Sequence, residues 1–220
     1  MTIRPASFVP NRIPYQDLDE VLEKVLVRMR GWPVPYIDAH QPFQRGEDWI
    51  GQEIEAQVTQ HYEAWRFFTS GQFNHLRAVS ADWRVHMDTM STTAVPEGAD
   101  SVIEVWEILY YLTEVFELAA RLALKMAGAD EMTVRARLNG LQNRALVVGQ
   151  PNRVPFMEPY IATLSSLEQS VTIRRDVLID DARSEAAKLS QQFFLRFGWK
   201  VSLEQLMDHQ RELTDEPRRS

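Results

Sequence analysis

Between residues 17 and 30, Leu18, Val21, Leu22, Val25, Leu26 and Met29 recur at helical spacing, with Glu20, Glu23, Lys24 and Arg28 opposite. Asp17 followed by Glu20 resembles a capping box, and Gly31 offers a stop, so the pattern predicts an amphipathic helix over 17–30. The preceding residues 1–16 carry Pro5, Pro10 and Pro14 and read as an extended arm. Pro33 and Pro35 restrict Trp32–Ile37 to extended chain or an edge strand, and residues 38–52 read as loop.

From Ile54 to Ser80 the period falls to two. Gln60–Thr69 and Gln72–Val79 flank Ser70-Gly71, which predicts a hairpin. A two-residue turn sets Phe68 opposite Phe73, Arg66 opposite His75 and Tyr62 opposite Val79, with Trp65 opposite Leu76 on the other face. Apolar groups on both faces imply a hairpin sandwiched between layers rather than one with an exposed patch. Residues 88–100 are small and polar, a loop.

Ser101 and Glu104 form a second capping-box pattern, and Gly128 ends the run that follows. The expected helix, about 40 Å long at 1.5 Å per residue, is apolar round most of its circumference, from Val105 and Trp106 to Ala123 and Met126. Such a helix belongs in the core. Beyond it, Thr133–Leu138 alternates, Asn139-Gly140 signals a turn, and Ala145–Val148 reads as the return strand. Residues 149–160 read as loop, Val171–Arg174 as a strand and about 181–196 as a helix ending near Gly198. Ser202 and Gln205 open a last helix with a third capping box.

These elements add up to an α+β fold: a mostly antiparallel sheet packed against a long buried central helix, with further helices at the N- and C-terminal ends. The expected organisation is an arm (1–16), one domain (17–213) and a polar tail (214–220).

Composition narrows the chemistry. The 220 residues include no cysteine, which removes disulfides, thiolate metal sites and cysteine nucleophiles. The start lacks the apolar run of a signal peptide, and six charges interrupt the most apolar stretch, Val102–Met126. A soluble, cytoplasmic protein with no membrane partner is therefore expected. The net charge of −7 disfavours a general nucleic-acid coat but leaves room for a local basic patch.

Phosphate-binding glycine loops, a nucleophile elbow and a zinc helix are all missing from the sequence. His40, His61, His75, His86 and His209 show no metal-ligand spacing, so no metal and no cofactor is expected. Glu47, Asp48, Glu53 and Glu55 read as a solvated segment, and no catalytic residue can be singled out.

Two constellations stand above this background. Glu114, Glu117 and Arg121 form a polar stripe on the central helix, with Glu117 and Arg121 spaced for an ion pair. They suit a buried ion-pair network that docks the helix, or else a pocket lining. Arg135 and Arg137 share a strand face, and Arg144, Arg153, Arg174 and Arg175 lie in neighbouring segments. Together with Arg66 and His75 of the aromatic hairpin, the set Arg135, Arg137, Arg144 and Arg174 would suit anion or nucleic-acid binding if it converged. Pairing with surplus Asp and Glu is the plainer account.

Three stretches, Trp65–Phe73 (WRFFTSGQF), Thr113–Ala123 (TEVFELAARLA) and Phe194–Trp199 (FLRFGW), resemble segments of an uncharacterised family of bacterial proteins. Some relatives stand beside ATP-binding or AlbA-like nucleic-acid-binding regions. The resemblance implies a sensing or accessory role and carries no catalytic residue.

The expected function is a non-enzymatic binding or interaction domain, a sensor or accessory protein of a bacterial regulatory or defence-type system, with a protein partner or self-association. Nucleotide or nucleic-acid binding by the arginine-bearing sheet face is the alternative. A metal-dependent hydrolase or nuclease is a third, weaker reading.

Overall fold

The computed structural model describes residues 1–56, 61–84, 94–149 and 154–215. The hairpin's expected first residue Gln60, His86, Arg153 and parts of the expected 88–100 and 149–160 loops lie outside them, as do residues 216–220 of the tail. The α+β class holds: among the described residues two sheets and four of five α-helices contribute to one core.

The main sheet is antiparallel. It contains β1 (Thr2–Pro5), β2 (Gln44–Arg45), β3 (Trp49–Ala56), β4 (His61–Phe68), β5 (Phe73–Arg77), β7 (Glu131–Asn139) and β10 (Ser166–Arg174), in the order β10-β7-β1-β5-β4-β3-β2. Of the expected arm only Thr2–Pro5 is a strand, and it lies inside the sheet, between β5 and β7; turns and a 3-10 helix at Tyr15–Asp17 follow. Strand β3 replaces part of an expected loop. Its inward positions are Ile50, Gln52 and Ile54, and the polar Gln52 hides the alternation. Gln52 is nonetheless buried, because its amide pairs with the Asp38 N–H and with the Asp38 and Gln41 carbonyls.

The hairpin β4–β5 forms, one residue out of the expected register. Phe67 faces Phe73, Trp65 faces His75, Ala64 faces Leu76 and Glu63 faces Arg77. The connection is longer than two residues: the Phe68 N–H donates to the Gln72 carbonyl at 2.9 Å, and Gly71 adopts φ +83°. A one-residue slip moves each side chain to another set of neighbours. His75 therefore shares the inner face with Glu63, Trp65 and Phe67 instead of standing beside Arg66.

Helix α1 (Leu18–Val25) buries Leu18, Val21, Leu22 and Val25 and stops before the expected Gly31. Leu26 turns extended, Val27 bridges to Val34, and the Arg121 guanidinium donates to the Leu26 carbonyl. After the short α2 (Ser80–Arg84) comes the central helix, α3 (Val105–Ala123). It is buried nearly all round, as expected, but its start needs correction. Ser101–Glu104 is a strand, β6, with Glu104 as N-cap and no side-chain cap bond. The β-branched Val102 and Ile103 are buried there, in parallel register with β8 (Arg144–Val147). The helix also stops at Ala123, short of Gly128, giving about 28 Å.

Strand β8 is not the return strand of β7. It joins a second sheet, β6-β8-β9, with β9 at Tyr160–Ile161, while β10 fills the place beside β7 along nine paired positions. The chain turns away after Asn139 through Gly140 and Asn143, both at positive φ. Helix α4 (Arg175–Phe197) begins earlier than expected and kinks at Asp181, whose carboxylate accepts from the Ser184 N–H. Gly198 closes it at φ +94°. The capping box at Ser202 is present: the Gln205 N–H donates to Ser202 Oγ, and Gln205 Oε1 accepts from the Ser202 N–H, both at 3.2 Å. It opens α5 (Leu203–Asp215).

Helices cover one face of the main sheet, with α1 over β3–β4, α3 against β7 and α4 against β10. The opposite face is polar around Thr2, Arg4, Asn74, Arg135 and Glu168. Among the described residues no helix is long and apolar enough to cross a membrane.

Candidate functional site

Between β5 and β7, beside Met1, a slot opens above α3. Its cavity of about 80 Å³ is lined by Leu76, Arg77 and Ala78 on one side and by Ala136, Arg137 and Leu138 on the other. Ile103, Glu107, Ile108, Tyr111, Leu112 and Phe193 line it from within. Ladder alternation gives the slot polar edges. The His75 N–H donates to the Met1 carbonyl and the Ala78 N–H to the Tyr62 carbonyl, so the Arg77 backbone groups between them turn toward the slot. On β7, the Glu131 carbonyl accepts from the Ala6 N–H, and the same parity turns the Arg137 backbone groups the same way.

A buried polar relay forms one wall. Glu63 Oε1 accepts from the Tyr36 N–H at 2.8 Å and lies 2.9 Å from His75 Nε2. A carboxylate can only accept, so Nε2 carries the proton of a neutral imidazole. That leaves Nδ1 to accept the Tyr111 hydroxyl proton across 2.7 Å. Burial lowers the proton affinity of His75 more than Glu63 raises it. Burial also pushes the Tyr111 phenol well above its usual range, so it stays protonated. The Arg77 guanidinium lies over the Tyr111 ring, 4.8 Å from its centroid, and reaches Glu107 Oε1 at 3.6 Å. Glu107 also accepts from the Ser80 N–H and hydroxyl at 2.6 and 2.7 Å.

The helix contributes Glu107 and Tyr111 to this wall, and Glu114 continues the same face beyond the cavity at i, i+4 and i+7 spacing. Glu114 is fully buried and pairs with Arg30 through two bonds of 3.1 and 2.5 Å. The pairing expected between Glu117 and Arg121 does not form. Glu117 accepts from Arg183 at 3.1 Å, and Arg121 donates to Leu26. Glu114 and Arg121 thus hold the segment after α1 on α3, Glu117 holds α4, and the cavity opens beside Glu107 and Tyr111.

The arginines are dispersed. Arg135 is exposed and pairs with Glu168 at 2.6 Å. Arg174 is exposed and pairs with Asp176 at 3.3 Å. Arg144 lies in the second sheet, where its guanidinium holds Asp82 and donates to the Gly140 and Val102 carbonyls. Arg66 lies over Trp49, 4.5 Å from the ring centroid, and Arg175 stands 3.5 Å from Asp130. Of the six anion-site candidates, only His75 and Arg137 line the slot.

The open sheet face holds a second, larger concavity of about 480 Å³ lined by Thr2, Arg4, Gln72, Asn74, Thr133, Arg135, Glu168 and Ser170. Among the described residues no group of three or more His, Asp or Glu side chains could hold a metal ion. Glu63 and Tyr111 belong to the relay, and Glu107 and Tyr111 to the wall, without standing out in the sequence. Their sequence signal is the shared helical face of Glu107, Tyr111 and Glu114, and the inward parity of Glu63 with Trp65 and Phe67. Comparison with family models, curated proteins and solved structures finds no match to this chain.

Proposed function

We propose that the chain is a non-enzymatic binding domain whose ligand site is the slot between β5 and β7 above α3. The observation that carries this reading is the convergence of Arg77, Glu107, Tyr111, Arg137 and the His75 relay on one cavity with an apolar floor. Binding fits the chemistry better than catalysis. The relay ends on a phenol that burial keeps protonated, a hydrogen-bond donor rather than a nucleophile. A sensor or accessory role in a bacterial system accords with this site and with the family resemblance of the three segments.

The test is methyl-detected NMR of the wild type and of Ala78→Phe against a library of small metabolites. Binders are expected to shift the methyl signals of Ile103, Ile108 and Leu112, and to be lost when phenylalanine fills the slot. Binders that map elsewhere, or that Ala78→Phe leaves unaffected, would overturn the assignment.

The concavity on the open face favours a second reading, nucleotide or nucleic-acid binding around Arg4 and Arg135. It predicts salt-sensitive binding that weakens in Arg135→Ala. Full retention of binding by that variant removes the case for this face.

A further inference from the structure

Resting on the slot as the ligand site, we infer that its ligand is a short aliphatic carboxylate, held by Arg77 and Arg137 with its alkyl end on α3. The donors and acceptors of the lining are unequal. Glu107, the one carboxylate lining the cavity among the described residues, already accepts two bonds from Ser80 and faces Arg77. Arg137 makes no hydrogen bond or close ion pair among the described residues, although its charge acts on Glu168 opposite it on β10, and it stands exposed at the outer mouth. Arg77 holds Glu107 only at 3.6 Å, so guanidinium N–H groups remain free to donate. The backbone N–H groups of Arg77 and Arg137 point into the same space.

A surplus of donors selects an acceptor-rich ligand, and two guanidinium groups select an anion. The floor decides which anion. Ile103, Ile108, Leu112 and Phe193 cannot solvate a second negative charge, which disfavours phosphate and dicarboxylates. Size completes the description: about 80 Å³ is far below the ~300 Å³ at which drug-sized pockets begin. A chain of two to four carbons (roughly three waters' displacement) suits that space.

The experiment is methyl-detected titration of the wild type and of Arg137→Ala with propionate, propionamide, propylamine, hexanoate and inorganic phosphate. Arg137 is exposed, so its variant is expected to keep the wild-type spectrum without ligand. Propionate is expected to shift the Ile103, Ile108 and Leu112 signals saturably, with about tenfold weaker binding in Arg137→Ala. The other four probes are expected to leave those signals in place. Propionamide binding as tightly as propionate, or unchanged propionate binding by Arg137→Ala, overturns the carboxylate assignment and leaves the slot reading standing. Phosphate or hexanoate binding there overturns the charge or size argument in the same way. No response to any probe also overturns the assignment, while the slot reading is decided separately by the metabolite library and Ala78→Phe.

Discussion

The Tyr111 hydroxyl donates a hydrogen bond to His75 Nδ1 across 2.7 Å, joining the central helix to the middle of the main sheet. Both rings also pack edge to face, with centroids 5.6 Å apart. Tyr111→Phe keeps the ring and removes the donor, leaving a buried imidazole nitrogen without its partner. The expected cost is about 1–2 kcal/mol, read from urea unfolding. A double-mutant cycle with His75→Gln should show coupling of about 0.5 kcal/mol or more. Additive effects would mean that the bond does not hold α3 to β5.

The same histidine predicts how stability varies with pH. Burial holds its folded pKa below the ordinary 6.5, so between those two values the unfolded chain binds the extra proton. The contribution is complete above 6.5 and is lost as pH falls from there toward the folded pKa. The groups facing the ring are Glu63, Arg77, Tyr111 and the Met1 amino group, and Glu63 opposes the shift without cancelling it. The unfolding free energy of the wild type should fall faster than that of His75→Gln as pH drops below 6.5. The excess slope can reach about 1.4 kcal/mol per pH unit for one proton. Parallel curves would show that His75 is not held neutral.

Arg30 and Glu114 form the most deeply placed ion pair described, with side chains 10% and 0% exposed. Removing one member strands the other in the interior, so Glu114→Ala should cost about 3–5 kcal/mol. Replacing both, as Arg30→Met with Glu114→Leu, should cost much less, because neither charge is then left alone. Chemical denaturation of the three proteins tests this. A double variant as unstable as the single would make packing, not charge pairing, the role of Glu114.

What the sequence made legible follows the physics of each element. The apolar wrap of α3 and the capping box at Ser202 are local signals, and both appear in the structure. The strand β6 carries a helix-start pattern, since Ser101 and Glu104 match a capping box, and pairing with β8 overrides that local pattern. The hairpin's existence was local too, but its register depended on the conformation of the Phe68–Gln72 loop. That one-residue difference concealed the inner-face grouping of His75 with Glu63. Arg144 shows the limit for the site: its sequence neighbours place it near β7, while its partners Asp82 and Val102 come from elements far along the chain. The slot itself was illegible, since it depends on where β1 lies between two strands distant in sequence.

The loop that sets this register gives the last prediction. Gly71 sits at φ +83°, and a Cβ there would overlap the carbonyl oxygen of Ala127, backbone that cannot swing aside. Gly198 also has positive φ, +94°, but a Cβ there meets only Tyr160 Cδ1 at 3.8 Å, an ordinary contact. The two sites therefore separate strain from collision. Gly198→Ala should cost about 1 kcal/mol, the penalty of a left-handed alanine. Gly71→Ala carries that penalty plus the displacement of the segment around Ala127, and should cost at least about 2 kcal/mol. Thermal and urea unfolding of both variants measures the difference. Equal costs would mean that the Phe68–Gln72 loop and the Ala127 segment are free to move apart, and that their contact does not fix the β4–β5 register.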